Sequence, residues 1–79
     1  MIIEFHRGHI RLKIDEKIIL IEGEALLPGH GSPDFFAYRN SLARWEHPKG
    51  ELITDSERKK IENLLTPELA KKGMSVEFE

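Results

Sequence analysis

The chain has 79 residues, with 12 Lys and Arg, 14 Asp and Glu and no Cys, which gives a formal net charge of -2. Because a chain of this length builds one hydrophobic core, we expect a single domain over residues 1–79, and the lack of cysteine excludes disulfides and thiol chemistry. The basic excess of a nucleic-acid binder, an apolar run of about 20 residues and a basic signal-peptide start are all missing, so we expect a cytoplasmic protein that binds neither nucleic acid nor membrane.

Three strands are predicted in the first part of the chain. Residues 9–14 alternate polar and apolar side chains without a fault, which is the period of a half-buried strand. Residues 2–6 alternate more weakly, and Arg7–Gly8 between the two segments predicts a hairpin turn. A second turn at Asp15–Glu16 leads into residues 17–21, whose apolar run is typical of an inner strand covered on both faces. These segments predict an antiparallel meander.

A loop and an aromatic strand follow. Residues 28–34 contain two Pro and two Gly, so we expect an exposed, mobile loop there. Residues 35–39 are rich in aromatic side chains and predict a fourth strand. Alternation in that strand places Phe36 and Tyr38 on the face opposite to Phe35. The sequence leaves open which of the two faces is buried.

A helix start at Thr54 is the strongest local signal. Glu57 follows three residues later, which is the pattern of a capping box, where each side chain accepts a hydrogen bond from the other residue's backbone N–H. Apolar residues then recur at helical spacing and predict a face that packs on the sheet: Ile61, Leu64 and Leu65. Thr66–Pro67 predicts a break at which the helix restarts, and Gly73 predicts its end.

The last residues predict a closing strand. Met74, Val76 and Phe78 alternate with polar residues, so one face of this strand should be buried. Residues 41–45 are predicted to form either a short fifth strand or one helical turn. The expected fold is therefore α+β: a mainly antiparallel meander sheet of four to five strands, a broken C-terminal helix packed on the sheet, and a final closing strand.

No residue pattern predicts catalysis, a metal or a cofactor. The chain contains four histidines: His6, His9, His30 and His47. They have no metal-ligand motif, so we expect surface histidines. Glu22 and Glu24 share one face of an extended segment, which is more often a solvated edge than a catalytic carboxylate pair. So short a chain also has little room for both a core and a ligand cleft of about 300 to 1,000 Å³. We therefore expect no enzyme activity.

The single tryptophan has two interpretations. Trp45 is either a core anchor that closes the sheet against the helix or a partly exposed contact residue, because Trp is rarely buried completely. Its neighbours favour a contact as much as a core position, since Trp, Tyr and Arg dominate the energetics of protein interfaces.

Several short motifs follow one another in a recognisable order. They are Arg7–Ile10, Gly23–Leu27, Phe36–Tyr38 with Ser41–Leu42, Trp45–Pro48, Ile53–Arg58 and Gly73–Phe78. Their order and spacing over nearly the whole chain resemble the Immunity protein 74 family. The Trp-Glu-X-Pro element at residues 45–48, followed by the capped helix, is the most specific part of the resemblance.

This resemblance implies a non-enzymatic, cytoplasmic antidote from a bacterial polymorphic toxin system. Such a protein binds a cognate toxin, the product of an adjacent gene, and neutralises it by occluding its active region. The family supplies no catalytic residues. We place the interface on the aromatic strand and the tryptophan turn, with glutamates available for a basic toxin. The candidate interface residues are Phe36, Tyr38, Arg39, Arg44, Trp45, Glu46, His47, Glu22 and Glu24.

Two other functions stay open at the level of sequence. A small homo-oligomeric or adaptor module would pair an exposed strand edge with a second copy, as in a homodimer, or with a peptide. A metal protein or small enzyme would use the histidines. The size of the protein in solution and its metal content distinguish these alternatives from toxin binding.

Overall fold

In a computed structural model, which describes residues 1–27 and 31–79, the sheet follows the order of the chain. The elements are β1 (Ile2–Phe5), β2 (His9–Ile14), β3 (Lys17–Ala25), β4 (Phe35–Ala37), α1 (Asp55–Ala70) and β5 (Val76–Phe78). Strands β1 to β4 pair antiparallel with their neighbours, whereas β5 pairs parallel with β4. The prediction of an α+β fold with a mainly antiparallel sheet, a C-terminal helix and a closing strand is confirmed.

The central strand β3 is longer than its apolar run. It continues through Glu22 and Gly23 to Ala25, because β2 pairs with its first part and β4 with its last part. The hairpin from β2 to β3 turns at Asp15, whose φ of 56° lies in the left-handed region that Asp tolerates better than most residues. Strand β1 is irregular, with a shift in register between Ile2 and Glu4.

Helix α1 begins with the predicted capping box. The Glu57 N–H donates to Thr54 Oγ1 at 3.1 Å, and the Thr54 N–H donates to Glu57 Oε1 at 2.9 Å. The predicted break at Thr66–Pro67 is absent, because α1 runs without interruption through Pro67. Pro67 lacks the N–H that a continuous helix requires, but Leu69, in the turn that follows, is fully buried and holds the helix on the sheet. The helix then ends before Gly73, which has a φ of 75°.

The core lies between α1 and one face of the sheet. Strands β2 and β3 contribute Ile10, Leu12, Ile14, Ile19 and Ile21, and the helix contributes Ile61, Leu65 and Leu69. Phe35 and Ala37 of β4 are also fully buried. Alternation therefore turns Phe36 and Tyr38 to the other face of the sheet, which α1 does not cover; we call it the open face.

The long connection from β4 to α1 closes one end of the core. It begins with a 3₁₀ turn at Arg39–Ser41, so a helical turn forms slightly earlier than the predicted alternatives for residues 41–45. Further along the connection, His47 forms an isolated antiparallel β-bridge with Ile18, so the backbone of this segment pairs with the start of β3. Trp45 is 4% exposed and Leu42 is 1% exposed, so this segment anchors in the core.

The loop predicted at residues 28–34 is described only in part. Residues 28–30 lie outside the described residues. Of the remainder, Gly31 and Ser32 are exposed as expected, but Pro33 is buried. Asp34 Oδ2 accepts a hydrogen bond from the Ser75 backbone N–H at 2.8 Å, which fixes the entry to β4 beside the start of β5.

Candidate protein-binding surface

Three strands gather aromatic and acidic side chains on the open face. In the register of the sheet, Phe36 of β4 lies between Glu24 of β3 and Glu77 of β5. Tyr38 follows the end of β4, and its N–H donates to the Glu22 carbonyl at 2.8 Å. On the opposite side, the N–H of the next residue, Arg39, donates to the carbonyl of Glu79 at 2.7 Å. We call this arrangement the aromatic–acidic patch; it consists of Glu22, Glu24, Phe36, Tyr38, Glu77 and Glu79.

The patch is accessible and strongly negative. Tyr38 is 38% exposed, Phe36 is half-buried, and the four glutamates are exposed. Neighbouring strands are about 4.8 Å apart, and alternate residues of one strand about 6.6 Å apart, so these carboxylates lie within a Debye length of their nearest neighbours. None of them forms an ion pair within residues 1–27 and 31–79. The patch therefore places four glutamates, without an ion pair among the described residues, around two aromatic rings.

Elsewhere on the open face, carboxylates are neutralised around Arg11. Its guanidinium bonds Glu46 through both oxygens, with Nε to Oε1 at 2.8 Å and Nη2 to Oε2 at 3.1 Å. Arg11 also contacts Glu4, whose Oε1 lies 2.6 Å from His9 Nε2. The hydrogen bond with His9, followed by the bond and charge of Arg11, lowers the pKa of Glu4. The bonds to Glu46 and Glu4 raise the pKa of Arg11. This network ties the connection after β4 to strand β2.

Trp45 belongs to the scaffold of this surface. The burial of its side chain favours the core-anchor interpretation over an exposed contact. Lys17 Nζ lies 5.2 Å from the centroid of the Trp45 ring, in cation–π range. Beside this pair is a concavity of about 270 Å³ near the start of α1, lined by Ile14, Asp15, Glu16, Lys17, Trp45, Glu57 and Lys60. Trp45 thus supports the sheet from the helix side.

Lys17 in that concavity already forms ion pairs. Lys17 Nζ lies 2.8 Å from Glu51 and 3.1 Å from Glu57, and these bonds raise its pKa. The hydrogen bond from the Thr54 backbone, followed by the bond from Lys17, lowers the pKa of Glu57. These ion pairs join the start of β3 to the start of α1.

The structure divides the predicted interface residues into groups. Glu22, Glu24, Phe36 and Tyr38 come together in the patch. Glu22 also lines a shallow depression of about 330 Å³ with Arg44, Trp45 and Glu46. Arg44 Nη1 donates to the Gly50 carbonyl at 2.8 Å.

The last two predicted interface residues lie at the margin of the patch or away from it. Arg39 lines a depression with Tyr38 and Glu79 of the patch, and its Nε lies 3.5 Å from Glu62 of the helix. His47 is exposed beside the bridge to Ile18.

Sequence reasoning missed Glu77 and Glu79. Their alternation with Val76 and Phe78 is visible in the sequence and places both on one strand face. What the sequence does not reveal is that β5 pairs parallel with β4, which brings these glutamates beside Phe36 and Tyr38.

The described residues contain no constellation for metal binding. His6 and His9 stack across the first hairpin, with ring centroids 4.9 Å apart. However, residues 1–27 and 31–79 include no group of three or more His, Cys, Asp or Glu side chains able to hold a metal ion. Within the same residues, α1 is too short and too polar to cross a membrane.

A small α+β fold with an exposed aromatic and acidic surface fits a protein that acts by binding another macromolecule. The sequence profile of the Immunity protein 74 family matches residues 2–79, so the chain belongs to that family. Membership implies a toxin-neutralising role and a toxin as partner, in a family that is generally non-catalytic. No curated protein and no solved structure matches the sequence.

Proposed function

We propose that this protein neutralises its cognate toxin in the cytoplasm by binding the toxin directly and covering the toxin's active region. The observation that carries this proposal is the family match over residues 2–79. The aromatic–acidic patch supports it as the contact surface, because exposed aromatic side chains in a polar frame are typical of interface anchors. The toxin is expected to be the product of an adjacent gene.

The free surface around Tyr38 is the place where binding should be most sensitive to mutation. Tyr38 is 38% exposed, and backbone hydrogen bonds place it between the exposed residues Glu22 and Glu79. A buried interface tyrosine typically contributes about 2 kcal/mol or more when truncated, which corresponds to a loss of affinity of about 30-fold. Leu64 is a matched control, because it is 36% exposed but lies on α1, away from the open face.

The experiment expresses the protein together with the product of the neighbouring toxin gene. Growth should be rescued, and the two proteins should purify as a complex. The Tyr38→Ala variant should lose about 30-fold in affinity, whereas Leu64→Ala should change it by less than about threefold. A competitive pattern of inhibition would support direct coverage of the active region. Absence of rescue and of complex formation by the folded wild-type protein would refute the proposal.

A second candidate function rests on the outer edge of β1. Ile3 and Phe5 of this edge strand are 47% and 40% exposed, so a second copy or an extended peptide could pair there. A concentration-dependent dimer in sedimentation, abolished by Ile3→Lys, would support this alternative. A monomer at all concentrations would exclude pairing between copies.

A further inference from the structure

The aromatic–acidic patch repeats one arrangement twice: an aromatic residue with a glutamate on each side. Phe36 of β4 has Glu24 beside it on β3 and Glu77 beside it on β5. Backbone hydrogen bonds continue the same register beyond β4 and place Tyr38 between Glu22 and Glu79. Aromatic faces attract cations, and carboxylates bind them through charge-assisted hydrogen bonds. The two kinds of group therefore select the same partner chemistry.

We propose that the patch binds an arginine-rich surface of the cognate toxin, with cationic side chains placed over Phe36 and Tyr38 between the flanking glutamates. This inference rests on the proposed toxin-binding function and specifies the chemistry of the partner. It also names two contact residues, Glu77 and Glu79, that the sequence did not indicate.

The spacing of the sheet suits a guanidinium group. Side chains directly opposite each other on neighbouring strands have Cβ atoms about 5 Å apart. A cation within about 6 Å of the Phe36 ring centroid is therefore also within reach of Glu24 and Glu77. Arginine fits better than lysine, because its planar group stacks on a ring and still presents several N–H donors to carboxylates at its edges.

The lack of ion pairs among the described residues distinguishes these carboxylates from most other glutamates of the protein. Four glutamates outside the patch, Glu4, Glu46, Glu51 and Glu57, each lie beside a Lys or Arg side chain. Within the described part of the chain, no ion pair involves the four patch glutamates. A cationic partner would supply the opposite charge that these carboxylates lack in the described part of the chain.

Other occupants fit this surface less well. Nucleic acid and anionic lipid would meet repulsion from the glutamates. A second copy docking face to face about a two-fold axis would bring one set of patch glutamates against the same set, because such an interface uses identical surfaces. The charge of the patch thus favours a basic protein surface over self-association.

The first test uses a capped hexa-arginine peptide as the probe. Two-dimensional NMR titration at about 50 mM salt should shift signals of β3, β4 and β5 and leave those of α1 unchanged. The double variant Glu24→Gln/Glu77→Gln should bind the peptide about tenfold more weakly. Glu16→Gln is the matched control, because Glu16 is an exposed glutamate in the β2–β3 turn, and it should change affinity by less than about twofold.

The second test uses the toxin itself. Glu24→Gln/Glu77→Gln should weaken toxin binding about tenfold at low salt and reduce its salt dependence, whereas Glu16→Gln should not. If the wild-type protein binds the toxin but the double variant binds it equally well, the patch inference is wrong and toxin binding stands. The patch inference would also be overturned if the peptide shifted NMR signals throughout α1, or if the double variant bound the peptide as tightly as the wild type. If the wild-type protein does not bind the toxin, the proposed function itself fails, whatever the peptide shows.

Discussion

Gly23, where β3 pairs with β4, gives the sharpest prediction about folding. A Cβ atom on Gly23 would lie 2.0 Å from the Phe36 carbonyl oxygen. It would also lie 2.6 and 2.8 Å from Cε1 and Cζ of the buried Phe35 ring. Ordinary carbon contacts are about 3.5 to 4.0 Å, so Gly23→Ala requires both the ring and the β4 backbone to move.

We expect Gly23→Ala to lower the free energy of unfolding by about 3 kcal/mol, the upper end of the usual cost of overpacking, because the nearest obstacle is backbone. For a domain of this size, whose total stability is typically about 4 to 12 kcal/mol, such a loss lowers Tm by about 12 to 24 °C. Gly8→Ala is the control, since a Cβ there meets nothing within 4 Å. The free energy of unfolding of Gly8→Ala should stay within about 0.5 kcal/mol of the wild-type value.

Urea unfolding measures this difference. Trp45 is the only tryptophan and is buried, so its fluorescence reports loss of the core. In a Phe35→Leu background, Gly23→Ala should cost less than in the wild type, because the ring contact is gone while the backbone contact remains. A loss below about 1 kcal/mol for Gly23→Ala, or equal losses for Gly23→Ala and Gly8→Ala, would refute the close packing of Phe35 over Gly23.

Three further predictions concern helix α1. Thr54→Ala should cost about 1 kcal/mol in urea unfolding and Thr54→Ser much less, since serine keeps the capping oxygen. Folding lowers the pKa of Glu57, so its carboxylate contributes to the free energy of unfolding at pH values above the unperturbed pKa of about 4.3. This contribution is lost as the pH falls through the lower pKa of the folded state. Glu57→Gln, which retains the capping pattern, should therefore flatten the pH dependence of stability below pH 5, and an unchanged slope would contradict this. Leu65→Ala should cost about 2 to 5 kcal/mol and the exposed Leu64→Ala far less; similar costs would contradict the assigned helix face.

Local patterns predicted the elements whose causes are local. The Thr54 and Glu57 pair specifies the start of α1, because both partners of the capping box are three residues apart in the chain. The alternation in β2 likewise placed Ile10, Leu12 and Ile14 on one buried face. The break predicted at Thr66–Pro67 was wrong, because α1 continues through Pro67. The low helix propensity of that turn is outweighed by the burial of Leu69 in the next turn.

For the candidate site, sequence reasoning identified four of the six patch residues: Glu22, Glu24, Phe36 and Tyr38. It placed Phe36 with Tyr38 and, separately, Glu22 with Glu24, because residues two apart in a strand share a face. It named both pairs as interface residues but did not show that they are neighbours on one face of the sheet, and it left Trp45 between core and surface. The adjacency of the two pairs and the burial of Trp45 depend on which strands become neighbours. Pairing between distant segments leaves no local pattern in the sequence.

The amino-acid sequence by itself thus determined the element types, the capped helix and the family, all of which depend on residues close together in the chain or on their order. The tertiary structure decided which face of β4 is buried: Phe35 lies in the core with the buried residues of α1, and its ring packs close to Gly23. It also decided that β5 pairs parallel with β4, since the chain returns through α1 to the same edge of the sheet. That crossover brings Glu77 and Glu79 to the aromatic residues, and it completes a surface that no single segment encodes.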